Sequence, residues 1–505
     1  MSVDQLGHFA EVQPQKPAVI LSDGGRSITY AELDLLSNRI AQLFFKRGLI
    51  DGDCVAILLK NGLHLLPIVI AARRAGMFFT PISTHLKEDE ALYIVQDCGA
   101  KLCFIDAAYP EVISRLRARG HDVVEVRDKD DPFQDALGEI SGYASLPPGA
   151  PGGDFFYSSG TTGKPKGVRR PRDPAGVGLR APLFDRSPDW GFDNETVFLS
   201  PGPLYHAAPL RFVVQIIALG GTVIVMPRFD ALGALEAMEK YRVTHSQWVP
   251  TMFHRLFSLP DEIRTRFDLS AHRFAIHAAA PCPVPLKERL IAWWGPIVWE
   301  YYSASEANGL TMISAEAWLT HKGSVGRPAF GILHIMADDG RECGAGEIGE
   351  IYFDGPRFEY YNDPEKTASC YNALGWSSVG DVGYVNEEGY LYLTDRRSHM
   401  IISGGVNIYP AEVENVLSEH PAVRDVAVFG IPNEEFGEGV KAAVAINEGF
   451  TAGPALEEDL ISYCRDRLAS LKCPKSVDFH DTLPRQESGK LFKHVLRAAY
   501  VPAHP

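Results

Sequence analysis

The sequence predicts an α/β protein: a large N-terminal domain of parallel, helix-covered sheets with a small β-barrel-like region, followed by a small α+β C-terminal domain. Three observations predict it. Capped amphipathic helices alternate with short apolar runs up to about Ala280, which is the pattern of parallel sheets covered on both faces. Between Ile332 and Asp354 the chain changes to short strands broken by turn clusters, and after Asp395 a compact mixed unit begins. A chain of 505 residues also exceeds the comfortable size of one core, so at least two domains are expected.

Thr29 and Glu32 have the spacing of a capping box, and Leu33, Leu36, Ile40, Leu43 and Phe44 recur at helical spacing behind them. Gly48 closes that helix, and residues 54–59, CVAILL, read as a buried parallel strand. The apolar stretch 63–72 stops at Arg73 and Arg74, too short to cross a bilayer. Further buried strands are expected at 101–106, at 222–226 after Gly220 and Gly221, and at 275–280. The barrel-like region is punctuated by Asp338-Asp339-Gly340 and Gly344-Ala345-Gly346. The C-terminal unit reads as a loop through Gly404 and Gly405, a helix at 410–420, strands at 423–430 and 441–447, a helix at 456–471, and a terminal strand and loop. About a hundred residues of this kind suffice for an independent domain.

Hydrophobic residues make up 46% and charged residues 22% of the chain, as in ordinary globular proteins. The formal net charge of −15 argues against nucleic acid as a partner, because duplex binding needs a basic face. An anionic substrate must then be met by local charge. Between Tyr157 and Trp190 there are seven Lys and Arg against three Asp, either a solvated arginine-rich turn or a substrate-facing patch. The eight cysteines show neither metal-ligand spacing nor a disulfide framework, and no basic region followed by an apolar run opens the chain. Reduced thiols in the cytoplasm are expected.

Residues 157–167, YSSGTTGKPKG, form a hydroxyl-rich and glycine-rich loop with two lysines. Gly160, Gly163 and Gly167 would let the backbone curl so that successive N–H groups share one concavity, a phosphate-holding device. It is not a Walker loop, which would need glycine where this chain has Pro165.

That segment resembles the AMP-binding signature of the acyl-CoA synthetase, luciferase and adenylation-domain superfamily, and further stretches match in order along most of the chain. The resemblance implies an ATP-dependent enzyme that needs Mg²⁺, makes an acyl adenylate and transfers the acyl group to CoA. It assigns Ser158, Ser159, Gly160, Thr161, Thr162, Gly163, Lys164 and Lys166 to the phosphates, with Thr161 also near the metal. The element Tyr301-Tyr302-Ser303-Ala304-Ser305-Glu306 is similar to the family's Tyr-Gly-x-Thr-Glu: Tyr302 would stack on adenine beside Tyr301, Ser305 would approach the α-phosphate, and Glu306 would ligate Mg²⁺. Ala280 and Pro281 join this nucleotide set by the same comparison, Asp381 would hold the ribose hydroxyls, and Arg396 would contact ribose and phosphate.

Lys490, within 485–490, RQESGK, matches the adenylating lysine, a point charge for the transition state. The resemblance further implies a gate at His206 and pocket walls at Trp248, Thr251, Ala279, Ser303 and Asn308. It also implies a mobile C-terminal domain, 396–505 after 1–395, turning about Ser398 to bring Gly404 and Gly405 toward CoA. Ser303 stands where relatives carry glycine, Ser305 replaces threonine, and Ser398 replaces the usual Asp or Lys pivot. A hydroxymethyl group at 303 should narrow or polarise the pocket. No aspartate aligns near His206 to pair with an α-amine, which favours an apolar fatty, aromatic or cyclic acid. Loading of a carrier protein and a catalytically silent nucleotide-binding relative are the alternatives, and assembly is open between monomer and homodimer.

Overall fold

The computed structural model describes residues 5–127, 132–147, 149–158, 165–172, 190–396, 399–403, 406–433, 436–485 and 491–500. The calls on Ser159, Gly160, Thr161, Thr162, Gly163, Lys164, Ser398, Gly404, Gly405 and Lys490 therefore lie outside the described residues.

The helix Tyr30–Lys46 starts as expected: Thr29 accepts from the Glu32 amide at 3.3 Å while Glu32 accepts from the Thr29 amide at 2.8 Å. The apolar run after it is the strand Cys54–Leu58, paired in parallel with Phe78–Pro81 on one side and Ala100–Asp106 on the other. Asp122–Val126 completes this four-stranded sheet. Between the sheets runs the helix Leu65–Arg74, buried from Leu65 to Ala72. No helix among the described residues is long and apolar enough to cross a membrane.

The larger sheet has nine strands in the order Ser27–Thr29, Pro17–Leu21, Thr222–Val225, Val197–Ser200, His245–Trp248, Phe274–His277, Val298–Ser303, Leu310–Ile313 and Arg327–Phe330. Its interior pairs are parallel and its outer pairs antiparallel. The strand expected at 275–280 stops at His277, because Ala279 has φ +75°, a left-handed conformation that ends the ladder. The region of short strands is a four-stranded antiparallel sheet: Ile332–Met336, Gly349–Asp354, Asp381–Val385 and Leu391–Arg396. Arg396 still belongs to it, with its Cα opposite that of Asp381.

The C-terminal unit has its own sheet, built on the long antiparallel pair Val423–Asn433 and Gly437–Ile446. Ser476–Phe479 joins the second of these in parallel, and helices Pro410–Ser418 and Pro454–Arg465 pack against the sheet. The second helix ends earlier than its apolar pattern suggests. Leu468 and Leu471 still reach the core, but from turns. Lys493–Ala498, expected as loop, is a short helix that inserts Leu496 beside Phe429 and Leu483.

Candidate active site

The site is assembled around two segments that leave the nine-stranded sheet, and a cleft of about 2810 Å³ opens over them. That is several times a single small-molecule pocket and leaves room for more than one substrate. Residues of both domains line it, among them His254 and Arg289 from the larger and Asp425 and Arg485 from the smaller. Arg485 grips Asp425 with two hydrogen bonds of 2.7 and 2.8 Å, and burial holds the His254 imidazole below its ordinary range.

The first segment is the strand Val298–Ser303 and the turn after it. Period-two alternation sends neighbouring side chains to opposite faces. Tyr302 turns to the antiparallel sheet, where its hydroxyl donates to Asp381 Oδ2 at 2.7 Å and its ring centroid is 6.5 Å from that of Phe353. Tyr301 points to the other face, beside Phe212, and burial pushes its phenol up to about 12 against the opposing charge of Arg211. Tyr301 and Tyr302 both border the cleft, with their side chains on opposite faces of the strand. Ser303 borders the cleft and donates to the Gly309 carbonyl at 2.7 Å, so its proton is already used.

Glu306 is buried, and Tyr360 donates to its Oε1 at 2.7 Å. Lys166 stands over the Tyr360 ring, its Nζ 5.8 Å from the centroid. These contacts bring the end of the phosphate-loop hairpin to Glu306. Tyr360 carries no motif in the sequence and is found only through its contact across 54 positions. Asn308, expected in the acid pocket, instead donates to the Ser377 carbonyl at 3.2 Å and to its hydroxyl at 3.1 Å. It is 2% exposed and ties the turn to the segment that leads to Asp381.

The second segment is 278–281, in which Ala278, Ala279, Ala280 and Pro281 all line the cleft. Ala279 at φ +75° and Ala307 at φ +51° are two of the four non-glycine residues with positive φ among the described residues, and both border the cleft. Such conformations cost on the order of 1–3 kcal/mol and concentrate at functional sites. His206 sits at the start of the helix Ala207–Ala218, in contact with the Tyr205 ring and on the cleft wall beside Thr251. Trp248 borders the cleft but is 1% exposed and packs into the opposite core against Trp294. Alternation gives its preceding neighbour, Gln247, to the face that Tyr301 and Phe212 share.

The hairpin Phe155–Ser158 with Lys166–Arg169 brackets the segment expected to hold phosphate. Gly167 belongs to this hairpin and does not curl the loop. A Cβ there would meet the Phe155 ring at 2.6 Å and the Tyr157 ring at 2.9 Å. The arginines that follow are paired where described: Arg172 with Asp51 at 2.6 Å, and Arg170 with Asp154 at 2.9 Å. Arg211 reaches the same Asp154 at 2.7 Å and the Ser305 carbonyl at 3.4 Å. Burial would raise the Asp154 carboxyl, but Arg170 and Arg211 outweigh it and hold the group well below the carboxylate range.

Behind the strand, Lys287 and Glu300 form a buried ion pair at 2.5 Å, with His277 Nε2 at 3.5 Å from the same carboxylate oxygen. Burial pushes the Glu300 carboxyl up, against the pull of Lys287. All eight cysteines are free thiols. No group of three or more His, Cys, Asp or Glu placed to hold a metal occurs among the described residues. Glu306 alone suits Mg²⁺, a hard cation that needs only one or two protein carboxylates when phosphate oxygens supply the rest.

The chain is similar to known proteins along nearly its whole length. The family model described as AMP-binding enzyme matches residues 6–359, and the one described as AMP-binding enzyme C-terminal domain matches 412–490. The chain is 34% identical to the long-chain-fatty-acid–CoA ligase FadD13 of Mycobacterium tuberculosis, over 98% of this chain and 97% of that one. It is 31% identical to the 2-succinylbenzoate–CoA ligase of Bacillus subtilis, over 97% and 96%. The crystal structure of ATP-bound MatB from Rhodopseudomonas palustris superposes with a TM-score of 0.86 at 29% identity, covering 99% of both chains. Two family models in order, a shared two-domain fold and full-length relatives identify the chain as a member of the AMP-binding enzyme family, an AMP-forming acid:CoA ligase that uses ATP, Mg²⁺ and CoA.

Proposed function

We propose that this chain joins a carboxylic acid of largely apolar body to CoA. The observation that carries the placement is that one short stretch, Tyr302 to Glu306, holds a tyrosine hydrogen-bonded to Asp381 at one end and a buried carboxylate hydrogen-bonded to Tyr360 at the other. Adenine lies along Tyr302 with the ribose hydroxyls at Asp381, and Arg396, opposite Asp381 on the next strand, serves ribose and phosphate. The phosphates run toward Lys166 and residues 158–164, while Ser305, Ala280 and Pro281 border the α-phosphate and base. The acid enters past His206 toward Ser303 and Thr251, with the carboxylate held near Lys490.

In the first half-reaction a carboxylate oxygen attacks the α-phosphorus and the bond to the diphosphate oxygen breaks. In the second, the CoA sulfur attacks the acyl carbon, its proton is lost, and AMP leaves with the carbonyl–oxygen bond pair. Charge grows on the α-phosphoryl oxygens in the first step, where a preorganised cation is worth most. Glu306 would hold Mg²⁺, which would neutralise phosphate charge there. The protein residues hold the reacting oxygen in line and exclude water. A smaller domain beginning after Arg396 and pivoting at Ser398 would exchange Lys490 for Gly404 and Gly405 between the steps. The free thiols, six of the eight buried, support a cytoplasmic location.

The test is acid-dependent exchange of diphosphate into ATP. Lys490→Ala should lower that exchange about 10²-fold or more while thioester formation from supplied acyl adenylate is largely spared. Equal loss of both half-reactions would remove Lys490 from the role.

A further inference from the structure

One wall of the cleft, two residues before Ser303 on the same strand, carries hydrogen-bonding groups that the chemistry at phosphorus does not use. Gln247 is 7% exposed and lines the cavity, and its Nε2 donates to the Tyr301 hydroxyl at 3.4 Å. Its Oε1 has no donor among the described residues. The Tyr301 proton likewise has no acceptor among them.

Amide orientation does not alter this balance. If the Gln247 amide is turned over, Tyr301 donates to Oε1, and the amide N–H and a phenolic lone pair are left instead. Either way one donor and one acceptor remain unused, side by side, on the cleft wall. Arg211, whose guanidinium shares Asp154 with Arg170 and spans the Phe156 ring at 5.3 Å, adds positive charge to that wall. Tyr301 precedes Ser303 on the same strand face by two residues, about 7 Å of strand rise.

A hydrocarbon terminus placed there would leave both groups buried and unsatisfied, at about 1–3 kcal/mol each. We propose that the acid carries a neutral oxygen function, hydroxyl or keto, remote from its carboxylate, and that Gln247 and Tyr301 receive it. The inference rests on the acid:CoA ligase reading, which puts the carboxylate elsewhere in the same cleft. It narrows the substrate class from apolar acids in general to acids with an apolar body and an oxygenated far end.

The test compares matched acids at two lengths: 3-phenylpropanoate with 3-(4-hydroxyphenyl)propanoate, and octanoate with 7-oxooctanoate. Binding to full-length protein saturated with a non-hydrolysable ATP analogue is measured calorimetrically, and AMP release with ATP and CoA is followed in parallel. The oxygenated member should bind about tenfold or more tightly in at least one pair, and that ratio should fall to near unity in both Tyr301→Phe and Gln247→Met. Either variant alone suffices if the other does not fold. Equal binding within both pairs, tighter binding of the plain acids, a preference that survives both variants, or no binding by any member would overturn the proposal. A binding preference without AMP release would leave the subsite standing and overturn the ligase reading instead, so the two failures are distinguishable.

Discussion

Lys287→Met should destabilise the protein by about 3–5 kcal/mol near pH 8, the usual cost of removing one partner of a buried ion pair. Lys287 is 0% and Glu300 7% exposed, at a separation of 2.5 Å, so almost no water can replace the lost ammonium. Among the described residues the same carboxylate also faces His277, at 3.5 Å, and its charge reaches the Cys282 thiol. Without Lys287, the Glu300 and His277 pair should take up one proton that the wild-type native state does not hold. The unfolded chains of wild type and variant titrate alike in this range. Their stability difference should therefore shrink by up to about 1.4 kcal/mol for each unit the pH is lowered, the value for one proton. Urea unfolding of both proteins at pH 8 and pH 6 measures the effect, and the gap should close by up to about 2.7 kcal/mol. Lys287→Met with Glu300→Gln should recover most of the loss, because no charge is then stranded. A penalty below about 1 kcal/mol, a gap that does not move with pH, or a double variant no better than the single would refute the reasoning. Glu300 is two residues from Tyr302, so diphosphate exchange should fall with the stability and return with the double variant.

Other expectations follow from the same geometry. Tyr360→Phe removes the proton donated to Glu306 and should cost about 10–100-fold in diphosphate exchange or in the Mg²⁺ concentration needed for half-maximal rate; an unchanged Mg²⁺ titration and rate would remove Tyr360 from this role. Ala279→Val places a β-branched residue at φ +75° and should lower stability by about 2 kcal/mol, read as a lower denaturation midpoint; an unchanged midpoint would show that the strain is absent. His272 and His245 are held down to about 3 and about 4, chiefly by burial. Both folded values lie below the unfolded value near 6.5, so the unfolded state binds more protons between them and stability falls as pH drops. The loss should be about 2 kcal/mol per histidine between pH 6.5 and 5. In His272→Asn the slope of unfolding free energy against pH should decrease by about one proton's worth; an unaltered slope would exclude the assignment.

Local pattern carried a large part of the fold. The capping box at Thr29, the strand at Cys54 and the long C-terminal strands are encoded in the spacing of neighbouring residues, because helix and strand periods act within a few positions. Residues 159–164, expected to hold phosphate from their run of glycines, hydroxyls and a lysine, lie outside the described residues. Errors came where one local signal had two structural meanings. Leu468 and Leu471 continue a helical spacing but reach the core from turns, and Gly167 sits among loop glycines yet is needed only for two aromatic rings to pass across it.

The sequence by itself determined the order of helices and strands and, through its motifs, the class of chemistry. Tertiary structure alone decided which side chains meet: Tyr302 with Asp381 across 79 positions, Tyr360 with Glu306 across 54, and Asn308 with Ser377 across 69. It also decided that Gln247 lines the cleft on the Tyr301 face while Trp248 packs into the core. The reason is physical. A strand's alternation fixes that neighbours point apart, but sheet order and register, set by packing over the whole domain, choose which face becomes cavity and which becomes core.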